Sequence, residues 1–167
     1  MSLTEHRQKK AISISAAVIT VSDTRTEVTD KSGMKMIGYL EEAGHKVSFY
    51  KICKDDKRSI LTAINDTDSV EVDVVLLNGG TGLAQRDITI ETITPLFTKE
   101  ITGFGELFRY LSYTEDIGSA AILSRATAGV YKDRVIFSTP GSTGAVKLAM
   151  EKLILPELQH IVNEIRK

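Results

Sequence analysis

Tryptophan is absent from this chain, cysteine occurs once and proline only three times in 167 residues. The single thiol, Cys53, has no partner for an intramolecular disulfide, and with His6, His45 and His160 scattered along the chain it provides no zinc constellation. A lone thiol suits a reducing compartment, so the expected location is the cytoplasm. An excess of charge is also missing. Lys and Arg number 21 against 22 Asp and Glu, so no net basic field draws the chain onto a nucleic acid polymer or an anionic membrane. No apolar run approaches the ~18 residues of a membrane span, and the first ten residues are polar, with no signal-like apolar core. Residues 1–11 are expected to form a flexible tail and residues 12–167 a single domain. No Gly-Lys-Ser/Thr triplet exists for a Walker A loop, and Gly103-Phe104-Gly105 lacks the third glycine of a dinucleotide fingerprint. A P-loop ATPase and a dehydrogenase are both disfavoured, and no Ser–His pair supports covalent catalysis.

What remains is an ordinary globular composition, 42% hydrophobic and 26% charged, in a chain long enough to bury well over half of its unfolded surface. Apolar, β-branched runs at 16–21, 47–52, 72–77, 120–123 and 135–137 predict strands. Between the first two, Gly33, Met36, Ile37, Leu40 and Gly44 follow the spacing of one helix face. A second helix is predicted over 57–65, capped by Asp55 or Asp56, with further helices near 88–96 and 105–112. The last helix opens at Ser142 or Thr143, and Pro156 must kink or restart it. Strand and helix alternate, which predicts a three-layer α/β/α domain on a mostly parallel sheet with a small antiparallel hairpin. In such a sheet the loops that follow the parallel strands share one edge.

Two of those loops are rich in glycine. Asn78-Gly79-Gly80-Thr81-Gly82 follows a buried-looking strand, where small residues leave main-chain N–H groups unobstructed and able to cradle an anion. Four residues separate the last glycine from Asp87, which stands beside Arg86. It reads either as the N-cap of the next helix or as a functional acid, and Arg86 either as a planar cation for phosphate or as a solvated loop residue. Ser138-Thr139-Pro140-Gly141-Ser142-Thr143-Gly144-Ala145 is again a strand end, a turn and a helix start, with Ser142 or Thr143 as cap, as phosphate contact, or as both. Asp55 and Asp56, after the second strand, fall on the same edge, where a carboxylate can hold Mg²⁺ beside substrate phosphates or merely cap a helix.

Six segments in order resemble one family: Thr20-Val-Ser-Asp-Thr-Arg25, Asp30-Lys-Ser-Gly33, Gly79-Gly-Thr-Gly82 with Arg86-Asp87, Gly103-Phe-Gly-Glu106, Leu123-Ser-Arg125 with Ala128-Gly129, and Pro140-Gly141. They resemble the molybdenum-cofactor biosynthesis proteins of the MoaB and MogA type, and the Pro140-Gly-Ser-Thr143 form is most similar to the MoaB branch. The resemblance implies the molybdopterin-binding fold and attack of the terminal phosphate of molybdopterin on the α-phosphate of ATP, giving adenylyl-molybdopterin and pyrophosphate with Mg²⁺ assisting. It further implies Asp55 and Asp87 as the catalytic acids and Mg²⁺ ligands. Gly79, Gly80, Thr81, Gly82, Arg86, Ser124, Pro140, Gly141 and Ser142 would contact substrate, Thr81 and Ser124 on the pterin side and Ser142 on a phosphate. The partners implied are molybdopterin, ATP, further copies of the chain in a trimer or hexamer, and other proteins of the pathway. The alternative it leaves open is a carrier that binds molybdopterin without chemistry.

Overall fold

A computed structural model describes residues 11–167, so the tail expected over 1–11 lies, but for its last residue, outside the described residues. Six strands form one sheet in the order β2-β1-β3-β6-β5-β4. These are β1 (Ser15–Val21), β2 (Lys46–Cys53), β3 (Val74–Asn78), β4 (Lys99–Glu100), β5 (Thr127–Tyr131) and β6 (Arg134–Thr139). The four on the β2 side are parallel, β5 runs antiparallel to β6, and β4 runs antiparallel to β5. The mostly parallel sheet with its antiparallel hairpin is therefore as expected.

The helices are α1 (Lys31–Glu42), α2 (Lys57–Asp66), α3 (Thr89–Ile93), α4 (Thr102–Glu115), α5 (Thr143–Ala149) and α6 (Leu155–Ile165). Because side chains alternate across a strand, β1 sends Ala16 and Val18 to one face and Ala17, Ile19 and Val21 to the other. The first face packs on Met36 and Leu40 of α1, Phe104 and Phe108 of α4, and Val146, Ala149 and Leu158 toward the C-terminus. The second packs on Ile60, Ala63 and Ile64 of α2 and Ile93 of α3. Each core excludes water from the sheet, and the three layers follow. Cys53 sits at the end of β2 facing the second core, where burial pushes its thiol up to about 11, so it is no nucleophile at neutral pH.

Two local expectations change. The run at 120–123 is not a strand but part of a 3₁₀ turn, Gly118–Leu123. Four apolar residues do not distinguish strand from helix, and here Ile122 and Leu123 face outward, 85% and 57% exposed, while the sheet position beside β6 is filled by β5. The strand predicted at 72–77 is displaced and runs from Val74 to Asn78. At Pro156 the helix restarts, as expected. The missing N–H is accommodated by a π turn, Met150–Ile154, between α5 and α6, with proline in the first turn of α6.

Candidate functional site

Parallel pairing brings the carboxyl ends of β1, β2, β3 and β6 to one edge, and because β5 is antiparallel its preceding loop arrives there too. The five connecting segments enclose a cleft of about 500 Å³. Ser22–Arg25 contribute from β1, Asp55 from β2, Gly79–Gly82 with Arg86 and Asp87 from β3, Pro140 and Gly141 from β6, and Leu123–Arg125 from the loop before β5. Molecules of nucleotide size fill clefts of this scale.

The glycine turn is built by close approach. Gly79 and Gly80 have φ of 99° and 66°, the left-handed region that favours glycine. A Cβ on Gly79 would lie 2.3 Å from the Val21 carbonyl, and one on Gly80 would lie 2.1 Å from Thr89 Oγ1 and 2.9 Å from Asp55 Oδ1. The turn is anchored through Gly79 N–H to the Thr139 carbonyl (3.0 Å), Thr89 N–H to the Gly80 carbonyl (3.0 Å) and Thr89 Oγ1 to the Gly79 carbonyl (3.0 Å). Among the described residues no protein acceptor takes the N–H groups of Gly80, Thr81 or Gly82. Unpaired main-chain donors on a tight turn make an anion cradle.

Acids flank that cradle. Asp55 exchanges hydrogen bonds with Asp23: Asp23 N–H donates to Asp55 Oδ2 (3.1 Å) and Asp55 N–H to Asp23 Oδ1 (3.0 Å). Partial burial, then the charge of Asp23, then that of Asp87 raise the Asp55 carboxyl above its ordinary range, offset by the Asp23 N–H and the cation of Arg86. Such crowding of negative charge favours a cation. Asp56 does something else: its carboxylate caps α2 by accepting from Ser59 N–H (2.7 Å) and Ser59 Oγ (2.7 Å), which lowers it. The structure thus separates the two neighbours, Asp55 toward the cleft and Asp56 at the cap. Asp87 is not the N-cap of α3. That place is Ile88, with no side-chain bond, while Asp87 Oδ2 accepts from Ala84 N–H (3.0 Å) and closes the loop on itself beside Gly82.

On the far wall, Arg25 donates to the Gly141 carbonyl (2.8 Å) and to Asn78 Oδ1 (3.4 Å), and its guanidinium lies 3.6 Å from Asp30. Asp30 is buried at the N-terminus of α1. It accepts from Gly33 N–H (3.0 Å), Thr20 Oγ1 (2.6 Å) and Tyr50 OH (2.6 Å), and burial with the nearby carboxylate pushes the Tyr50 hydroxyl well above the usual phenol range. Ser32 Oγ donates to the same Gly141 carbonyl (2.5 Å). These bonds bring the two glycine turns together, and a Cβ on Gly141 would lie 3.2 Å from the Gly79 Cα.

Of the residues singled out in the sequence, Asp55, Gly79, Gly80, Thr81, Gly82, Arg86, Asp87, Ser124, Pro140 and Gly141 all line this one cleft. Ser142 does not. Its hydroxyl accepts from Ala145 N–H (3.1 Å) as the N-cap of α5. Sequence reasoning assigned no role to Asp23, Arg25 and Arg125, although each line the same cleft. The signal for the first two was present, since Ser22-Asp23-Thr24-Arg25 follows β1 at the edge already used to place Asp55.

Asp55 also yields a stability prediction. Its folded-state carboxyl titrates above its unfolded value, so the favourable contribution of the protonated form is complete below about pH 4 and disappears as pH rises through the folded value. At neutral pH the ionised group therefore opposes folding. Asp55→Asn, which keeps an acceptor for Asp23 N–H, is expected to raise the melting temperature at pH 7 in EDTA, with the gain vanishing below about pH 4. Thermal unfolding of both proteins across that range checks it, and a lower melting temperature at pH 7 would contradict it.

Residues 17–160 match a family described as "probable molybdopterin binding domain". A molybdenum cofactor biosynthesis protein B from Bacillus subtilis is 63% identical over 171 aligned positions, covering 100% of this chain and 99% of that protein. A crystal structure of a molybdenum cofactor biosynthesis protein B, 57% identical, superposes with a TM-score of 0.91 over 95% of this chain and 99% of the other. The tungsten cofactor synthesizing protein MoaB from Pyrococcus furiosus, 43% identical, gives 0.85 over 95% and 100%. Shared sequence along the whole domain and the same fold have one reading: this chain belongs to the molybdopterin-binding family of molybdenum cofactor biosynthesis proteins, in its MoaB branch.

Proposed function

We propose that the chain is a Mg²⁺-dependent molybdopterin adenylyltransferase. The observation that carries the reading is the turn at Gly80–Gly82, with three unclaimed N–H groups between the carboxylates of Asp55 and Asp87. An oxygen of the terminal phosphate of molybdopterin attacks the α-phosphorus of ATP, the bond from that phosphorus to the bridging oxygen breaks, and pyrophosphate leaves. No protein nucleophile is required. Such transfers depend on alignment of the reacting groups and neutralisation of charge. In this reading the N–H groups of the turn and the exposed Arg86 cation would meet the phosphate oxygens, and Thr81 and Ser124, which line the same cleft, would take the pterin side.

No group of three or more His, Cys, Asp or Glu side chains among the described residues can hold a metal ion unaided. The donor set nevertheless fits Mg²⁺, which ordinarily takes one or two carboxylates and completes its octahedron with substrate phosphates and water. Asp55 and Asp87 are the carboxylates that would hold it, and the ion would supply charge neutralisation at the transferred phosphoryl group. The experiment is to mix purified protein, molybdopterin and ATP labelled at the α-phosphate, with and without Mg²⁺. Label is expected in the pterin product only when Mg²⁺ is present. Stoichiometric pterin binding with no transfer of label identifies a carrier instead.

The same reading includes self-association. Leu107, Tyr110, Tyr113, Ile117, Ile122 and Leu123, each about half exposed or more, cluster on α4 and the 3₁₀ turn after it, an apolar patch of the kind that further copies of a chain cover. Light scattering is expected to give three or six times the monomer mass of 18.3 kDa. A particle of monomer mass at micromolar concentration would contradict this.

A further inference from the structure

Arg125 has the most extensive set of contacts of any cleft residue not yet given a role. It follows the 3₁₀ turn whose Leu123 lines the cleft and precedes β5, and its guanidinium reaches the glycine loop from there. Nε–H donates to the Thr81 carbonyl (2.9 Å), and Nη2 donates to the carbonyls of Gly82 (2.8 Å) and Asp87 (3.2 Å). Nη1 pairs with Glu91 of α3, whose carboxyl is held below its usual range by that contact. Three main-chain acceptors and one carboxylate on a single planar fork fix where the loop carbonyls point.

That orientation has a consequence at the cradle. Among the described residues all peptide bonds are trans, and in a trans peptide the C=O and N–H point in opposite directions. The Thr81 carbonyl shares its peptide plane with the Gly82 N–H. Drawing that carbonyl onto Arg125 therefore aims the Gly82 N–H away from Arg125, and no protein acceptor receives it. We propose that Arg125 is a positioning residue that holds the glycine turn in its anion-binding form and thereby sets the affinity of the cleft for a polyphosphate. The inference rests on the phosphate-binding part of the proposed function and not on adenylyl transfer. Lysine cannot replace this arginine, because a single ammonium lacks the planar set of donors that spans the separated carbonyls.

The test is titration of ¹⁵N-labelled protein with inorganic pyrophosphate, read at the Gly80, Thr81 and Gly82 amides, with melting temperatures measured in parallel. In the wild-type protein these amides are expected to shift and saturate. Arg125→Lys is expected to weaken binding about tenfold or more with the fold retained, as loss of charge-assisted bonds implies. Glu91→Gln leaves the three carbonyl bonds and removes the charged partner, so it should weaken binding about twofold to threefold. It carries the test where the lysine variant does not fold. Wild-type affinity in Arg125→Lys, or in Glu91→Gln should that variant alone be available, would overturn the proposal, as would turn amides that do not respond in the wild type. A protein that binds pyrophosphate in this way but never adenylylates molybdopterin would refute the adenylyltransferase and leave the role of Arg125 standing.

Discussion

Asp87→Ala is expected to reduce adenylyl transfer by about 100-fold or more while molybdopterin binding survives, the pattern for an interaction made chiefly in the transition state. The carboxylate lies beside Gly82 at the edge of the anion cradle, where the Mg²⁺ it would hold could offset the negative charge that builds on the leaving pyrophosphate as its bond to the α-phosphorus breaks. The side chain has a second, local duty, accepting from Ala84 N–H at 3.0 Å, so alanine also loosens the loop. Asp87→Asn separates the two, since its amide oxygen still accepts from Ala84. Both variants should lose turnover if charge is what matters. Rates from pyrophosphate release, set beside pterin affinity from fluorescence, decide the matter, and Asp87→Asn turning over at the wild-type rate would remove Asp87 from the chemistry.

The second large effect is on stability. Asp30→Ala is expected to cost about 3 kcal/mol, because it strips a buried acceptor from Thr20, Tyr50 and the first turn of α1 and leaves Arg25 without its carboxylate. For a domain of this size that corresponds to a fall of roughly 10 °C in melting temperature. It should also damage the site. Arg25, freed from Asp30, no longer has a fixed position from which to hold the Gly141 carbonyl, so the Pro140 turn loses one of its ties to the Asn78 end of β3. Denaturant unfolding of the variant gives the energy directly, and a midpoint equal to that of the wild type would show that the network is dispensable.

Much of the cleft is legible in the sequence because parallel strands carry their following loops to one edge. That rule alone brought the turn at Gly79, the turn at Pro140 and Asp55 together. Local sequence could not say which of two adjacent aspartates faces the cleft. The difference is a cap, and it became visible only when Asp56 was seen bonded to Ser59. Asp87 in front of Ile88-Thr89-Ile90 has the spacing of an N-cap, yet the loop turns back earlier and gives the acid to Ala84, which spacing does not reveal. Ser142 shows the reverse, a residue that also reads as a phosphate contact but serves as the cap. Arg125 was least accessible, because its bonds join residues 34 to 44 positions apart and leave no periodic trace. The run at 120–123 misled for a simple reason: β5, not these residues, completes the hairpin with β6.

The unclaimed amides of Gly80, Thr81 and Gly82, with an acid on either side, are expected to receive the phosphates of a nucleotide. A crystal structure of the wild-type protein with Mg²⁺ and an ATP analogue that cannot be cleaved between the α- and β-phosphates tests it most directly. Phosphate oxygens within hydrogen-bond distance of those amides, and an ion shared with Asp55 and Asp87, are the predicted result. A nucleotide bound with its phosphates away from this turn would contradict the account.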